Sequence, residues 1–277
     1  MEPRNLEISV ISDLHLATHA SKAKSVLKYL KSIHPETLIL NGDIIDSWRF
    51  SRSYFPKAHL KVIRYIIQLM EKGTQVIYIS GNHDEFLRKF NEVDLGNLRI
   101  CNQITLELNG VKTWIIHGDI FDYMIHQAKW LAKIGAASKG LLTMINEYLN
   151  VLIRWFGGKE VSIYKSIKTR FNKDRSVYTS FEKAVVLAAI KRNCHTVICG
   201  HTHIPKDKII STDHGNVRYL NCGDWVEHCT ATEYNDGEWT LYQYFEMDEE
   251  IVSDEIDIPN EKEVLQSIFK ELMLHQV

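Results

Sequence analysis

The 277-residue chain lacks the features that mark several common protein classes. Its five cysteines are odd in number and include no Cys-x-x-Cys pair, which argues against a disulfide framework and predicts reduced thiols. No apolar run approaches the roughly 18 residues of a transmembrane helix, and the first residues lack the basic-then-apolar pattern of a signal peptide. The formal net charge of −2 is unlike the strongly basic composition of a nucleic-acid coat protein. These absences predict a soluble, cytoplasmic protein with no nucleic-acid partner.

Short β-branched runs alternate with helical stretches through the first half of the chain. The predicted elements are, in order, a strand at 6–12, a helix at 22–32, a strand at 37–40, a helix at 58–72 and a strand at 75–79. Later strands are predicted on both sides of the Asn109-Gly110 turn, at 196–199, within 208–222 and within 231–244. The alternation predicts a layered α/β fold, in which the chemistry collects beyond the carboxyl ends of the strands.

Residues 121–175 interrupt this alternation. They contain no proline, so long helices are permitted, and apolar residues recur at helical spacing. Residues 121–183 carry 11 Lys and Arg against 5 Asp and Glu, a charge of +6 that leaves −8 on the rest of the chain. Two interpretations remain: a helical hairpin packed on the core with a solvated basic face, or a lid that receives an amphiphilic, anionic ligand. We therefore expect a core of 1–120 and 176–277 and a helical lid insertion of 121–175.

Five polar clusters stand at the ends of predicted strands and combine Asp, His and Asn with glycines, which suit close backbone approach. They are Asp13-Leu14-His15, Gly42-Asp43-Ile44-Ile45-Asp46, Gly81-Asn82-His83-Asp84, His117-Gly118-Asp119 and Gly200-His201-Thr202-His203. In a strand, residues two apart point to the same side, so Asp13 with His15, and His201 with His203, can converge on one ion. Nitrogen and oxygen ligands without a thiolate suit Mn, Fe or Zn. A carboxylate shared by two ions would give the bimetallic centre, with about 3.5–4 Å between ions, that is typical of phosphatases and nucleases.

In order and spacing, these clusters resemble the complete motif set of the calcineurin-like metallophosphoesterases. The resemblance implies a four-layer α/β/β/α sandwich that binds two divalent metal ions, with Mn²⁺ favoured and Fe, Zn or Co as alternatives. It also implies the ligands. Asp13, His15, Asp43 and His203 would hold the first ion, and Asp43 would bridge to a second ion completed by Asn82, His117 and His201.

Within that superfamily, the chain is most similar to the bacterial UDP-2,3-diacylglucosamine pyrophosphatases of lipid A synthesis. The similar features are the first two motifs with Ser47-Trp48, the helical segment between the His117 and His201 motifs, and the stretch Tyr219–Glu227. The resemblance implies cleavage of a nucleotide-diphosphate lipid to UMP and 2,3-diacylglucosamine 1-phosphate by a metal-bridging hydroxide. The lid would hold the acyl chains. Its basic rim would meet the diphosphate or the anionic leaflet of the inner membrane, which implies a peripheral membrane contact.

The third motif departs from that pattern, because the best-known members have Arg where this chain has His83. We expect His83 to protonate the leaving oxygen or to neutralise the transition state, with Asp46 orienting it. Candidate substrate-binding residues are Arg49, Lys165, Lys168, Arg170 and Trp225.

The sequence leaves three alternative functions to consider. The substrate could be another nucleotide diphosphate, a cyclic nucleotide or a different phosphodiester. A nuclease would need a basic groove, which the charge of −8 outside residues 121–183 disfavours. A non-catalytic scaffold would show lost metal ligands, and all seven expected ligand positions are filled.

Overall fold

Twelve strands and three α-helices are assigned in the computed structural model, which describes residues 2–49, 55–123, 125 and 179–245. The strands are β1 (Arg4–Ile11), β2 (Ile33–Asn41), β3 (Gln75–Ile79), β4 (Val93–Leu95), β5 (Leu98–Cys101), β6 (Gln103–Leu108), β7 (Val111–Ile116), β8 (Thr196–Cys199), β9 (Lys206–Thr212), β10 (Gly215–Asn221), β11 (Thr230–Asn235) and β12 (Glu238–Gln243). The helices are α1 (Ala23–Lys31), α2 (Lys57–Glu71) and α3 (Ser180–Lys191), with a 3₁₀ helix at Glu85–Phe90. All these elements lie within one compact unit, Met1–Phe245.

The strands form two sheets. The larger has the order β12-β11-β1-β2-β3-β5-β4, and the smaller has the order β6-β7-β8-β10-β9. Strands β1, β2, β3 and β5 run parallel, as do β7, β8 and β10. Parallel strands end at a common edge of their sheet, so the polar clusters that follow β1, β2 and β3 are brought side by side. The clusters that follow β7 and β8 are brought together in the same way on the second sheet.

Side-chain alternation along the strands separates the molecule into layers. In β2, Leu38 and Leu40 pack in a cluster with α1 and α2, whereas Ile39 belongs to the apolar layer between the two sheets. In β8, Val197 packs in a cluster with α3, and Ile198 enters the layer between the sheets. Helices therefore cover the outer face of each sheet, and the expected four-layer α/β/β/α arrangement is confirmed.

Agreement with the predicted elements is close for the strongly patterned segments. The strand predicted at 75–79 is β3 itself, and the Asn109-Gly110 turn joins the antiparallel pair β6 and β7. Helix α3 was not predicted, because its apolar residues are spread around the helix instead of forming one stripe. The three-residue strand β4 also carried no sequence signal.

The predicted lid lies almost entirely outside the described residues. Within it, residues 121–123 and 125 are described and are helical, so the division into a core and a lid stays a prediction. Among the described helices, none combines the length and apolarity needed to cross a bilayer. All five cysteines are buried as free thiols.

Candidate metal centre

The backbone turns sharply where the chain leaves β1, β2 and β8. Five residues of the predicted ligand set have left-handed backbone angles, with φ between 46° and 65°: Asp13, His15, Asp43, His201 and His203. These turns depart from the extended geometry on which the pairing of Asp13 with His15, and of His201 with His203, was based. Asp13 and His15 still belong to one group of candidate ligands, whereas His201 and His203 belong to different groups.

The first group consists of Asp13, His15 and His203. The Nε2 atom of His203 lies 3.2 Å from Asp13 Oδ1 and 3.2 Å from His15 Nε2. The other carboxylate oxygen of Asp13 accepts hydrogen bonds from the Ser12 hydroxyl and from the His201 backbone N–H. Asp13 is thus fixed through one oxygen and presents the second to the two imidazoles.

The second group consists of Asp43, His117 and His201. The Oδ2 atom of Asp43 lies 3.3 Å from His117 Nε2 and 3.9 Å from His15 Nε2 in the first group. Its Oδ1 atom accepts a 2.8 Å hydrogen bond from the His83 backbone N–H. One oxygen of Asp43 therefore lies between a histidine of the second group and a histidine of the first, which is the position that a bridging carboxylate requires.

Both groups draw on both sheets. Asp13 and His15 follow β1 and Asp43 follows β2 in the larger sheet, whereas the three other histidines follow β7 and β8 in the smaller one. Neither group is complete on one sheet alone.

Unpaired polar atoms test whether the centre suits metal ions. Asp13 Oδ1, Asn82 Oδ1 and His117 Nε2 are buried without a hydrogen-bond partner among the described residues. A buried polar atom without a partner costs about 1–3 kcal/mol, so three of them in one centre indicate a further ligand. All are oxygen or nitrogen donors, and they belong to the expected ligand set. The residues therefore fit two divalent cations.

Contacts within the centre also shift the pKa values of its own residues. Burial alone would lower the pKa of His117, but the Asp43 carboxylate 3.3 Å from its Nε2 atom and the nearby Asp13 raise that pKa to about 10. Burial would raise the pKa of Asp43, yet the adjacent His117 ring holds that pKa well below its usual range. The carboxylates of Asp13 and then Asp224, which lie beside its two ring nitrogens, raise the pKa of His203 to about 10. A cation that binds here must therefore displace protons from these rings.

Each of three histidines has a polar partner on one ring nitrogen, which leaves its other ring nitrogen for a cation. His117 Nδ1 lies 2.8 Å from the Asn41 carbonyl oxygen, His203 Nδ1 lies 3.0 Å from Asp224 Oδ2, and His201 Nε2 lies 2.9 Å from Asp122 Oδ2. The sequence placed Asp224 only within a family-like stretch and gave no signal for Asp122. A local pattern could not have found Asp122, because its contact is made by the tertiary fold.

His83 and Asp46, the predicted catalytic pair, are in contact. His83 Nδ1 lies 3.0 Å from Asp46 Oδ2, and Asp46 is almost fully buried. The Trp48 ring, 62% exposed, lies against the His83 ring at a centroid distance of 4.3 Å. His83 also belongs to a third group of candidate ligands with His15 and Asp43. The structure thus places the His83 side chain at the edge of the centre, supported by a carboxylate.

Two glycines allow the loops to approach closely. A Cβ atom at Gly42, whose φ is +80°, would overlap the His117 imidazole. A Cβ atom at Gly200 would overlap Ser12 and Asp13. Both positions therefore require glycine for steric reasons.

The remaining motif residues have structural contacts. Asp84 is fully buried and accepts hydrogen bonds from the backbone N–H groups of Ile44 and Gly81 and from the Tyr78 hydroxyl. Asp119 lies within hydrogen-bonding distance of Arg88. These carboxylates hold neighbouring loops together.

The predicted substrate-binding residues lie in different environments. Arg49 is exposed, and its backbone N–H donates to Asp46. Trp225 is fully buried in the cluster beneath α1, so the predicted contact of its side chain with substrate was wrong. Its backbone N–H instead donates to the Asp13 carbonyl at 3.1 Å and supports the first group of ligands. Lys165, Lys168 and Arg170 lie outside the described residues.

Curated relatives match most of the chain. A UDP-2,3-diacylglucosamine hydrolase of Aliivibrio fischeri is 23% identical over 246 residues, which cover 86% of this chain and 98% of that protein. The hydrolase of the same name from Serratia proteamaculans is 25% identical over 226 residues, covering 78% of this chain and 89% of the relative.

Solved structures are also similar to the chain. An archaeal phosphodiesterase shares 17% identity and a TM-score of 0.39, covering 85% of this chain and 98% of that one. An Escherichia coli phosphoesterase shares 13% identity and a TM-score of 0.41, covering 86% and 99%.

The family follows from a sequence profile. The profile of the calcineurin-like phosphoesterases matches residues 6–205, well over half of the chain, and this span contains all seven expected metal ligands. The chain therefore belongs to the calcineurin-like phosphoesterase family and is a metal-dependent phosphoesterase.

Proposed function

We propose that this protein hydrolyses the pyrophosphate bond of UDP-2,3-diacylglucosamine and releases UMP and 2,3-diacylglucosamine 1-phosphate. The observation that carries the reaction type is the position of Asp43 Oδ2, which lies 3.3 Å from His117 of the second group and 3.9 Å from His15 of the first. The choice of substrate is supported by the names of relatives that match 86% and 78% of the chain.

Two divalent ions, with Mn²⁺ the favoured metal, would occupy the centre. Asp13, His15, Asp43 and His203 would hold one of them, and Asp43, Asn82, His117 and His201 would hold the other. When bound, such ions lower the pKa of a coordinated water and offset the negative charge of phosphoryl oxygens.

His83 acts on the departing group. Its ring lies at the edge of the centre, and its Nδ1 atom is 3.0 Å from Asp46 Oδ2. Asp46 is held in turn by the Arg49 backbone N–H, so the carboxylate has a fixed direction. An imidazole oriented through Nδ1 presents Nε2 to the substrate, where it donates a proton to the leaving oxygen or a hydrogen bond to the phosphoryl group.

Exposed apolar side chains close to the centre support an amphiphilic substrate. Trp48 lies against His83, Ile204 directly follows His203, and Ile120 and Tyr123 follow His117 within a few residues. Exposed apolar side chains that adjoin a polar site are typical of surfaces that bind a partly apolar ligand. Burying acyl chains on such a surface contributes about 0.8 kcal/mol per CH₂ group.

The inserted segment, 121–175, completes the proposal as a lid for the acyl chains. Lys165, Lys168 and Arg170 of this segment would contact the diphosphate. Arg49, which lies outside the segment, would contact it as well. The excess of +6 over residues 121–183 further supports peripheral contact with an anionic membrane leaflet. Cosedimentation with anionic vesicles that disappears in neutral vesicles is the expected result, and no sedimentation with either would contradict the membrane contact.

His83 itself favours a second candidate, hydrolysis of a different nucleotide diphosphate or phosphodiester. The best-known UDP-2,3-diacylglucosamine pyrophosphatases, by the resemblance noted above, have Arg at this position. The contact between His83 and Asp46 supports a working catalytic pair without specifying which phosphoester it serves.

The test is product analysis by phosphorus NMR and mass spectrometry after incubation of the Mn²⁺-loaded protein with UDP-2,3-diacylglucosamine. We expect UMP and the lipid 1-phosphate in equal amounts. The Asp43→Ala variant should form neither product, because it loses the shared oxygen. The Asp94→Ala variant, altered at a remote exposed carboxylate, should match the wild type.

Either failure has a distinct meaning. If the lipid is not cleaved while bis(p-nitrophenyl) phosphate is, the substrate assignment is wrong and the second candidate stands. If neither compound is cleaved by protein that holds two ions, the proposed activity is wrong.

A further inference from the structure

We propose that Asp122 is a positioning residue that sets the affinity of the second metal site, through its hydrogen bond to His201. The proposal rests on the two-ion centre described under Proposed function. It assigns a role to a side chain that is no part of the ligand set and comes from a different element, the short helical segment at 119–123.

The partners that hold the three histidines differ in chemical type and in burial. His117 is held by the backbone carbonyl of Asn41, which belongs to the end of β2. His203 is held by Asp224, whose side chain is 2% exposed and also accepts backbone hydrogen bonds from Glu227 and His228. His201 is held by Asp122, whose side chain is 48% exposed. The second group of ligands therefore depends on the least enclosed of the three contacts.

The contact with Asp122 selects the nitrogen that His201 offers to its group. With Nε2–H donating to the carboxylate, the lone pair is on Nδ1, which is then the atom that a neutral His201 can offer to a cation held with Asp43 and His117. A carboxylate on the far nitrogen also makes an imidazole a stronger donor to a cation, and losing such a partner costs 10–100-fold in metal affinity in known sites.

The two carboxylates therefore act on different ions. Asp224 touches a ligand of the first group only, and Asp122 touches a ligand of the second group only. Removing Asp122 should weaken one site and spare the other. A general loss of negative charge or a general loss of structure would weaken both.

The test is equilibrium titration of metal-free protein with Mn²⁺, with free Mn²⁺ measured by electron paramagnetic resonance. The same spectra report the exchange-coupled signal of a dimanganese pair. For Asp122→Ala we expect the second ion to bind roughly 10–100-fold more weakly, with the first site within about twofold of wild type. Asp122→Asn retains an acceptor oxygen without the charge, and its second-site affinity should fall between wild type and Asp122→Ala.

Two controls make the result specific. Asp224→Asn should weaken the first ion in preference to the second, and Asp94→Ala should change neither. Because Asp122 is half-exposed, the metal-free Asp122→Ala protein should unfold within about 2 °C of wild type.

The inference fails if Asp122→Ala binds both ions as the wild type does, or if it weakens both ions equally. A wild-type protein that binds only one ion would instead overturn the two-ion centre itself.

Discussion

At the scale of single residues, the most unusual feature of the metal centre is a set of non-glycine residues with left-handed backbone angles. Asp13, His15 and Asp43 have φ values of 55°, 46° and 55°. This conformation costs roughly 1–2 kcal/mol for a residue other than glycine. Here it is held by neighbouring backbone hydrogen bonds, such as those from the Asp13 and His15 N–H groups to the Gly42 and Asp43 carbonyls. These hydrogen bonds keep the ligand-bearing turns in place.

Glycine at position 42 should be indispensable to the centre. In Gly42→Ala the new methyl group would collide with the His117 imidazole, so we expect metal binding to fall below one ion per chain. Gly110→Ala is the matched control, because its φ of +77° is nearly that of Gly42 but its Cβ would meet open space. The control should lose only about 1–2 kcal/mol of unfolding free energy and keep full metal content. Equal metal content in both variants, measured by plasma mass spectrometry, would contradict the steric argument.

His83 should matter most when the leaving group is poor. A general acid contributes about 10²–10⁴-fold to the rate. His83→Ala should therefore lower kcat by that order on an ester with an alkyl leaving group. On a p-nitrophenyl ester, whose leaving group needs little protonation, the loss should be under about tenfold. Asp46→Asn should show the same contrast more weakly, with metal content unchanged in both variants. A loss that is equal for the two esters would rule out proton donation by His83.

Much of the centre was predictable residue by residue, because its motifs are local. Asp13, Asp43 and His117 each stand at a strand end with a recognisable neighbour. The failures arose where tertiary placement decided. Trp225 is a core residue despite its family-like context, and Asp122 holds a ligand that lies 79 residues away in the chain.

At the scale of elements, the start of α3 is stabilised by a buried carboxylate with several partners. Glu182 accepts hydrogen bonds from Lys206 and Lys208 on β9 at 2.8 and 2.9 Å, and from the Thr179 backbone N–H. The Thr179 hydroxyl accepts in return from the Glu182 N–H, which completes a capping box. One side chain thus caps the helix and ties it to the smaller sheet.

Glu182→Gln should lower the unfolding free energy by about 2–3 kcal/mol at pH 7, because charge-assisted hydrogen bonds are lost. Glu92→Gln is the control. Glu92 pairs with Arg99 at the surface, so this variant should change stability by less than about 1 kcal/mol. Urea unfolding measures both.

The contribution of Glu182 should also depend on pH. Burial would raise the pKa of Glu182, but its hydrogen bonds to Lys206 and then Lys208 lower it from 4.5 to about 2. A carboxyl with a depressed folded-state pKa stabilises fully above its unfolded value and loses that stabilisation as the pH falls through the folded value. The difference between wild type and Glu182→Gln should therefore shrink between pH 4.5 and 2. A difference that stays constant would mean that the charge of Glu182 is not its source.

Elements whose apolar residues recur with a clear period were predictable, and elements without such a pattern were not. Strand β3 was predicted at its observed bounds because it alternates with helices of strong amphipathic pattern. Helix α3 has apolar residues on several sides, and its capping box was the signal that could have revealed it.

At the scale of the whole molecule, each group of ligands joins the two sheets. An ion bound by such a group holds the sheets together and binds the folded state only. At a free Mn²⁺ concentration 100 times the dissociation constant, one site adds about 2.7 kcal/mol of stability. For a protein of this size that corresponds to a rise of about 5–10 °C in the melting temperature.

Calorimetry with and without a chelator measures this rise. Asp43→Ala, which lacks the oxygen common to both groups, should show little of it. A rise as large in Asp43→Ala as in the wild type would mean that the stabilising ions bind elsewhere.

The four-layer architecture was predictable from strand and helix alternation together with the motif set. The pairing of particular ligands across the sheets was not, because local conformation at the strand ends departs from the extended geometry that a period of two assumes. Only the resemblance to the metallophosphoesterase family assigned His201 and His203 to different ions.

The span of chain between the ligands has a consequence for biosynthesis. Asp13 leaves the ribosome well before its partner His203, which follows 190 positions later in the sequence. At translation rates of roughly 5–20 residues per second, the first group of ligands stays incomplete for about 10–40 s. A metal ion held by this group therefore cannot template early folding of the nascent chain, because strands β1 to β8 have already been synthesised when His203 becomes available.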